Sequence, residues 1–122
     1  METMIFSALG WLHPARLTHA ATGLIRTRVA TATTITVHSI CGLHRALSQQ
    51  GVSELVITGG ETDVCVLAAA LGAIDLGYKI VIPKDAVRSG VDATHDASLE
   101  LLAGRFSVQA ELTSMAALIS RL

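Results

Sequence analysis

Aromatic side chains are scarce in this 122-residue chain: Phe6, Trp11, Tyr78 and Phe106 make up only 3% of it. A core must therefore be built from Val, Ile, Leu and Ala, which suits a parallel sheet covered by helices better than a β-sandwich. Charge is also sparse, at 16% of residues with a net value of −1, giving no electrostatic ground for binding nucleic acid or an anionic membrane. Cys41 and Cys65 are the only cysteines, too few for a disulfide framework, and a reducing cytoplasm is the expected compartment. There is no C-x-x-C and no His at close ligand spacing from Cys65, so no metal is expected. Without a G-x-G-x-x-G or a P-loop, Gly59-Gly60 is weak evidence for phosphate binding, and no cofactor is expected. No segment reads as a membrane span.

What is present suits one domain, 51% hydrophobic and long enough to bury a core. Charge divides unevenly along it. Residues 1–50 hold four Arg and one acid, whereas residues 51–122 hold five bases and nine acids. From residue 43 onward the signals agree. A short helix runs from Leu43 to a stop at Gly51, and Glu54–Thr58 reads as a strand buried on both faces. A helix over 62–76 closes at Gly77, and Lys79–Pro83 is a second buried strand. Asp92–Ala103 is predicted helical, Arg105–Ala110 a weaker edge strand, and Thr113–Arg121 a closing helix with Thr113 as N-cap. His95 is placed on the exposed face of its helix, and His38 and His44 read as surface or helix residues. This α-β-α-β-α-β-α order predicts an α/β fold, an open parallel sheet with helices on both faces.

Residues 1–42 are less coherent. Glu2 and the lack of a basic start argue against a signal peptide, while the Arg-, Thr- and Ala-rich, acid-poor stretch has the composition of a transit peptide. It also fits poorly structured sequence, with Val29–Ile40 as its one candidate strand.

Cys65 stands out by position. Ligands collect outside the carboxyl ends of parallel strands, and Thr58 ends a strand just before the helix that carries Cys65. Free N–H groups at a helix start stabilise negative charge, on a sulfur or on an oxyanion built from it. The competing reading is a small packed core residue, about as well supported by the apolar run that follows. A redox-sensing thiol needs only Cys65 and nothing else.

The block Val56-Ile-Thr-Gly-Gly-Glu-Thr-Asp-Val-Cys-Val-Leu-Ala-Ala-Ala-Leu71, followed by Asp75-Leu-Gly-Tyr-Lys79 and Pro83-Lys-Asp-Ala86, closely resembles the isochorismatase-like cysteine hydrolases. The resemblance covers roughly residues 43–122, an isochorismatase-like α/β domain, and leaves 1–42 as a divergent segment without a family motif. It implies that Cys65 is the nucleophile, and that a non-proline cis peptide falls at Gly60–Glu61. The backbone N–H groups of Glu61 and Cys65 then form the oxyanion hole. The implied substrate is a small amide, carbamoyl compound or vinyl ether. Thr62 and Asp63 read as caps of the helix, and Asp85, at the rim, reads as structural before catalytic.

The family also supplies an Asp at the end of its first strand and a Lys before the cysteine block. This chain has no Asp before Asp63 and no Lys before Lys79; where the Lys is expected, at about residues 30–33, it reads Ala-Thr-Ala-Thr. Two readings follow, an active cysteine hydrolase or a catalytically incompetent remnant serving at most as a structural or binding subunit. With the N-terminal strands apparently missing or replaced, the central strand at Leu55–Ile57 is expected to expose a flat apolar edge and to seek a second copy, making a homo-oligomer. A reading-frame change upstream of the Leu43 codon is one expected origin of so abrupt a boundary.

Overall fold

The computed structural model describes the backbone of residues 2–8, 17–18, 28–32 and 37–121, and the side chains of residues 43–121. In chain order the elements are β1 (Glu2–Ala8), β2 (Leu17–Thr18), β3 (Arg28–Ala32), α1 (Val37–Gln49) and β4 (Val52–Gly60). A π-turn (Thr62–Val66) leads into α2 (Leu67–Asp75), then β5 (Lys79–Pro83), a 3-10 turn (Lys84–Ala86) and β6 (Val87–Arg88). The chain closes with α3 (Asp92–Arg105), β7 (Ala110–Thr113) and α4 (Met115–Ser120). Among the described residues the sheet runs β2-β3-β1-β4-β5-β7, with β6 also on β4; every pairing is parallel except β2 with β3. The expected open parallel α/β sheet is the observed one.

Alternation along the two central strands explains the layers. Leu55 and Ile57 of β4, with Ile80 and Ile82 of β5, pack with Leu47 of α1, Ala70 and Ala73 of α2 and Leu102 of α3. Val56 and Val81 face the opposite way, against Leu118 of α4. Both faces of these strands are thus covered, as their continuous apolar sequence requires. At the end of α2, the Tyr78 N–H reaches the Ala73 carbonyl (3.0 Å) and the Gly77 N–H that of Ile74 (2.9 Å). Gly77 adopts φ 87°, a left-handed stop that a side chain would strain.

Four expectations change. First, the edge of β4 is not bare: β1 lies along it in register from Thr3 opposite Glu54 to Ala8 opposite Gly59, and β3 lies beyond. The N-terminal strand positions are therefore filled, and the reason offered for pairing with a second copy lapses. Second, of the strand expected over Val29–Ile40, Val29 to Ala32 lie in β3 while Val37 to Ile40 open α1. Third, the last strand starts where 105–110 was expected to end. The Phe106 N–H still bonds the Leu102 carbonyl, and the Gln109 and Ala110 N–H groups both bond the Phe106 carbonyl, so this stretch is the end of α3 and a turn. Fourth, Ser114 rather than Thr113 caps α4, its hydroxyl accepting the Ala117 N–H at 3.2 Å. Thr113 is still in the ladder, opposite Pro83. No helix among the described residues is long and apolar enough to cross a membrane.

Leu102 is 0% exposed and sits where α3 meets the sheet. Leu102→Ala is expected to lower unfolding stability by about 2–5 kcal/mol, read from urea denaturation. A loss below about 1 kcal/mol would show that α3 is not packed as described.

Candidate active site

The rim at the carboxyl ends of β4, β5 and β6 is built by register. Gly59 pairs with Val87 and Gly60 with Arg88, so the residue after Arg88, Ser89, arrives beside the turn that leaves β4. That turn passes through Gly59 at φ 134° and then Glu61 at φ 54°, ψ 63°, the only non-glycine residue with positive φ among those described. A left-handed Glu costs free energy that its neighbours must offset. Among the described residues there is no cis peptide bond, so the cis Gly60–Glu61 bond implied by resemblance is absent; the reversal is made by the dihedrals of Gly59 and Glu61 instead.

Beyond Glu61 the chain does not enter an α-helix directly. The Val66 N–H bonds the Glu61 carbonyl at 3.2 Å, and the Leu67 N–H reaches that of Thr62, the wider spacing of a π-turn. Such turns are energetically poor and concentrate at functional sites. Cys65 lies in this turn, half-buried, between exposed Val64 and fully buried Val66. Cys41 lies within α1.

Thr62 and Asp63 do not cap their own helix, as the sequence reading had it; they tie it across the rim. Asp63 Oδ1 accepts the Ser89 hydroxyl at 2.5 Å, and Oδ2 accepts the Thr94 hydroxyl at 2.5 Å. The Asp63 backbone N–H donates back to Ser89 Oγ at 3.2 Å. The buried Thr62 hydroxyl shares a 2.9 Å hydrogen bond with His95 Nδ1. His95 is therefore half-buried and turned toward the rim, not on an exposed face, because the Thr62 hydroxyl needs a partner there. The Ser89 hydroxyl, then that of Thr94, hold the Asp63 carboxyl below its ordinary value of 3.8; desolvation opposes this, while its own backbone N–H and nearby His95 assist it.

Asp85 Oδ1 accepts the Met115 N–H at 2.8 Å and so anchors the start of α4. His44 of α1 is half-buried, its Nδ1 2.8 Å from the Tyr78 hydroxyl. The residues brought together at the cysteine turn are thus Thr62, Asp63, Ser89, Thr94 and His95. Ser89, Thr94 and His95 carried no role in the sequence reading. The available signal was topological: right-handed crossovers bring the first turn of α3, like that of α2, to the same rim, so polar residues there meet. Among the described residues no three His, Cys, Asp or Glu side chains are grouped to hold a metal ion. A cavity of about 700 Å³ opens beside the turn, lined by Thr58, Gly59 and Gly60 on one side and by residues 84–89 on the other. Cys65 is not among its lining residues.

The isochorismatase domain family model matches residues 15–116. The chain is similar to streptothricin hydrolase of Streptomyces noursei, 42% identical over 45 residues, which are 37% of this chain and 16% of that protein. It is also similar to solved nicotinamidases. That of Bacillus subtilis is 27% identical with a TM-score of 0.61, over 73% of this chain and 48% of that one. That of Staphylococcus aureus is 30% identical with a TM-score of 0.60, over 73% and 54%. The chain spans about half the length of these structures and less of the curated relative.

The Asp63 network carries its own pH dependence. Because the folded state holds this proton less tightly than the unfolded chain, the carboxylate's contribution to stability is complete above the ordinary 3.8 and is lost as pH falls through the lowered value. Below pH 3.8 the urea midpoint of the native chain should therefore fall more steeply than that of Asp63→Asn. Parallel slopes for the two would show that the Asp63 carboxylate does not favour the folded state.

Proposed function

The chain belongs to the isochorismatase family, and from that premise we propose that its rim is a thiol hydrolase site with Cys65 as nucleophile. The observation that carries this reading is the strand–turn–helix over residues 52–75, in which a left-handed Glu61 and a π-turn hold a half-buried cysteine at the carboxyl end of a central strand. A buried apolar position would need neither the strained residue nor the polar bonds around it. In the proposed reaction the Cys65 sulfur, its proton removed, attacks the carbonyl carbon of a small amide or carbamoyl compound. The developing oxyanion is held by the backbone N–H groups of Glu61 and Cys65. The amine leaves with a proton, and water then cleaves the thioester to the acid and restores the thiol. The similarity to a streptothricin hydrolase and to nicotinamidases favours an amide as the bond cleaved.

A second reading, slow or absent turnover, rests on a specific observation. Proton removal and return call for an acid–base pair. The strand beside β4 ends in Ser7-Ala8, opposite Thr58 and Gly59, without a carboxylate, and no Lys precedes Lys79. General acid–base help commonly contributes about 10²–10⁴-fold. Ammonia release from nicotinamide is therefore expected to be slower than a typical enzyme's roughly 10 s⁻¹ by about that factor, and Cys65→Ala should abolish what remains. Residual hydrolysis unchanged by Cys65→Ala would overturn the nucleophile assignment, and turnover at the typical rate would overturn the second reading.

A further inference from the structure

His95 brings two ring nitrogens to the rim, and the described contacts use only one of them. Nδ1 lies 2.9 Å from the hydroxyl of Thr62, a residue that is 0% exposed and does not line the cavity beside the cysteine turn. Nε2 has no partner among the described residues, and the half-buried ring does line that cavity. The two nitrogens stand on opposite sides of an imidazole, so the bond to Thr62 anchors the inner side and leaves Nε2 to the outer one. The other ionisable groups of the cavity are less suited to moving a proton. Asp85 accepts the Met115 N–H, and Asp92 sits among the free N–H groups that open α3. Lys84 and Arg88 are exposed cations of types that ordinarily hold their protons near neutral pH, where a histidine both takes and gives one.

We infer that His95 is the proton donor to the leaving group, supplied by α3 and not by the strand beside β4. The inference rests on the thiol reading above and adds a residue to it. The Cys65 thiol gives its proton to solvent, and the sulfur attacks the carbonyl carbon of an amide whose nitrogen lies in the cavity. As the C–N bond breaks, the imidazolium Nε2–H passes its proton to the departing nitrogen and leaves a neutral ring. Water then attacks the thioester and yields a proton to Nε2, the C–S bond breaks, and the thiolate is reprotonated from solvent. Nδ1 keeps its own proton on the Thr62 oxygen throughout, so the ring holds its place in both of its states.

Two substrates that differ in whether the leaving group needs a proton test the inference on the full chain. Nicotinamide must expel ammonia, whereas p-nitrophenyl acetate expels a stable phenolate, and its burst reads acylation of Cys65 alone. His95→Asn keeps a side-chain amide at the Nδ1 end of the ring, where it can still meet Thr62, and removes Nε2. Ammonia release from nicotinamide is expected to fall about 10²-fold in this variant, the lower end of what general acid–base help contributes, while the burst rate falls far less. Equal loss of both rates would overturn the assignment and leave His95 as a tie on the turn. So would an unchanged nicotinamide rate, or a native chain that gives the burst but releases no ammonia. A burst that is absent, or that survives Cys65→Ala, would instead overturn the thiol reading beneath it.

Discussion

The Asp63 carboxylate takes the Ser89 hydroxyl on one oxygen and the Thr94 hydroxyl on the other, and so fastens the cysteine turn to two later parts of the chain. The turn has little local reason to persist. It starts from a left-handed Glu61, has no side-chain cap, and winds at the wider π spacing. Register supplies what local preference does not. Because Gly60 lies opposite Arg88, Ser89 is delivered next to Asp63 whatever the rest of the loop does, and the crossover from β6 sets the first turn of α3 above it. Thr62 and His95 add a third tie from inside the core. The position of Cys65 thus follows from the pairing of β4 with β6, transmitted through hydroxyl groups to one half-exposed carboxylate.

Completing the sheet and completing a reaction site make different demands on a strand. β4 is apolar on both faces, so a neighbour on its free edge need supply only backbone pairing and compatible side chains, and the segment Glu2–Ala8 fills that place. Chemistry at the rim asks in addition for a particular group at the strand's end, and the residues opposite Thr58 and Gly59 are Ser7 and Ala8. A chain can therefore belong to the family and hold the cysteine turn in place even where the strand beside β4 ends without a carboxylate.

The features visible in the sequence were those set by short-range patterning. Lys79–Pro83 is a strand over the residues expected, because its apolar run is bounded by Gly77 and by a proline that ends the ladder. The resemblance block located the cysteine turn. What was not legible depended on contacts between distant residues. Thr62 and His95 are 33 positions apart, as far as any local rule is concerned unrelated, yet a buried hydroxyl and a ring nitrogen satisfy one another. β7 was displaced because Phe106 prolongs the helix by one bond and then anchors a turn, a choice that its mixed neighbours do not encode. The strand at Glu2–Ala8 was not expected, since nothing in its pattern says which edge it will cover.

The central claim is that the Asp63 ties hold the cysteine turn in its π-wound form. Hydrogen exchange at the Val64 and Val66 amides tests it most directly, because both N–H groups bond the Glu61 carbonyl within that turn. In Asp63→Asn these two amides should exchange faster than in the native chain, while those of the central strands β4 and β5 keep their protection. Unchanged exchange at Val64 and Val66 in that variant would contradict the account, showing that the turn stands without the carboxylate.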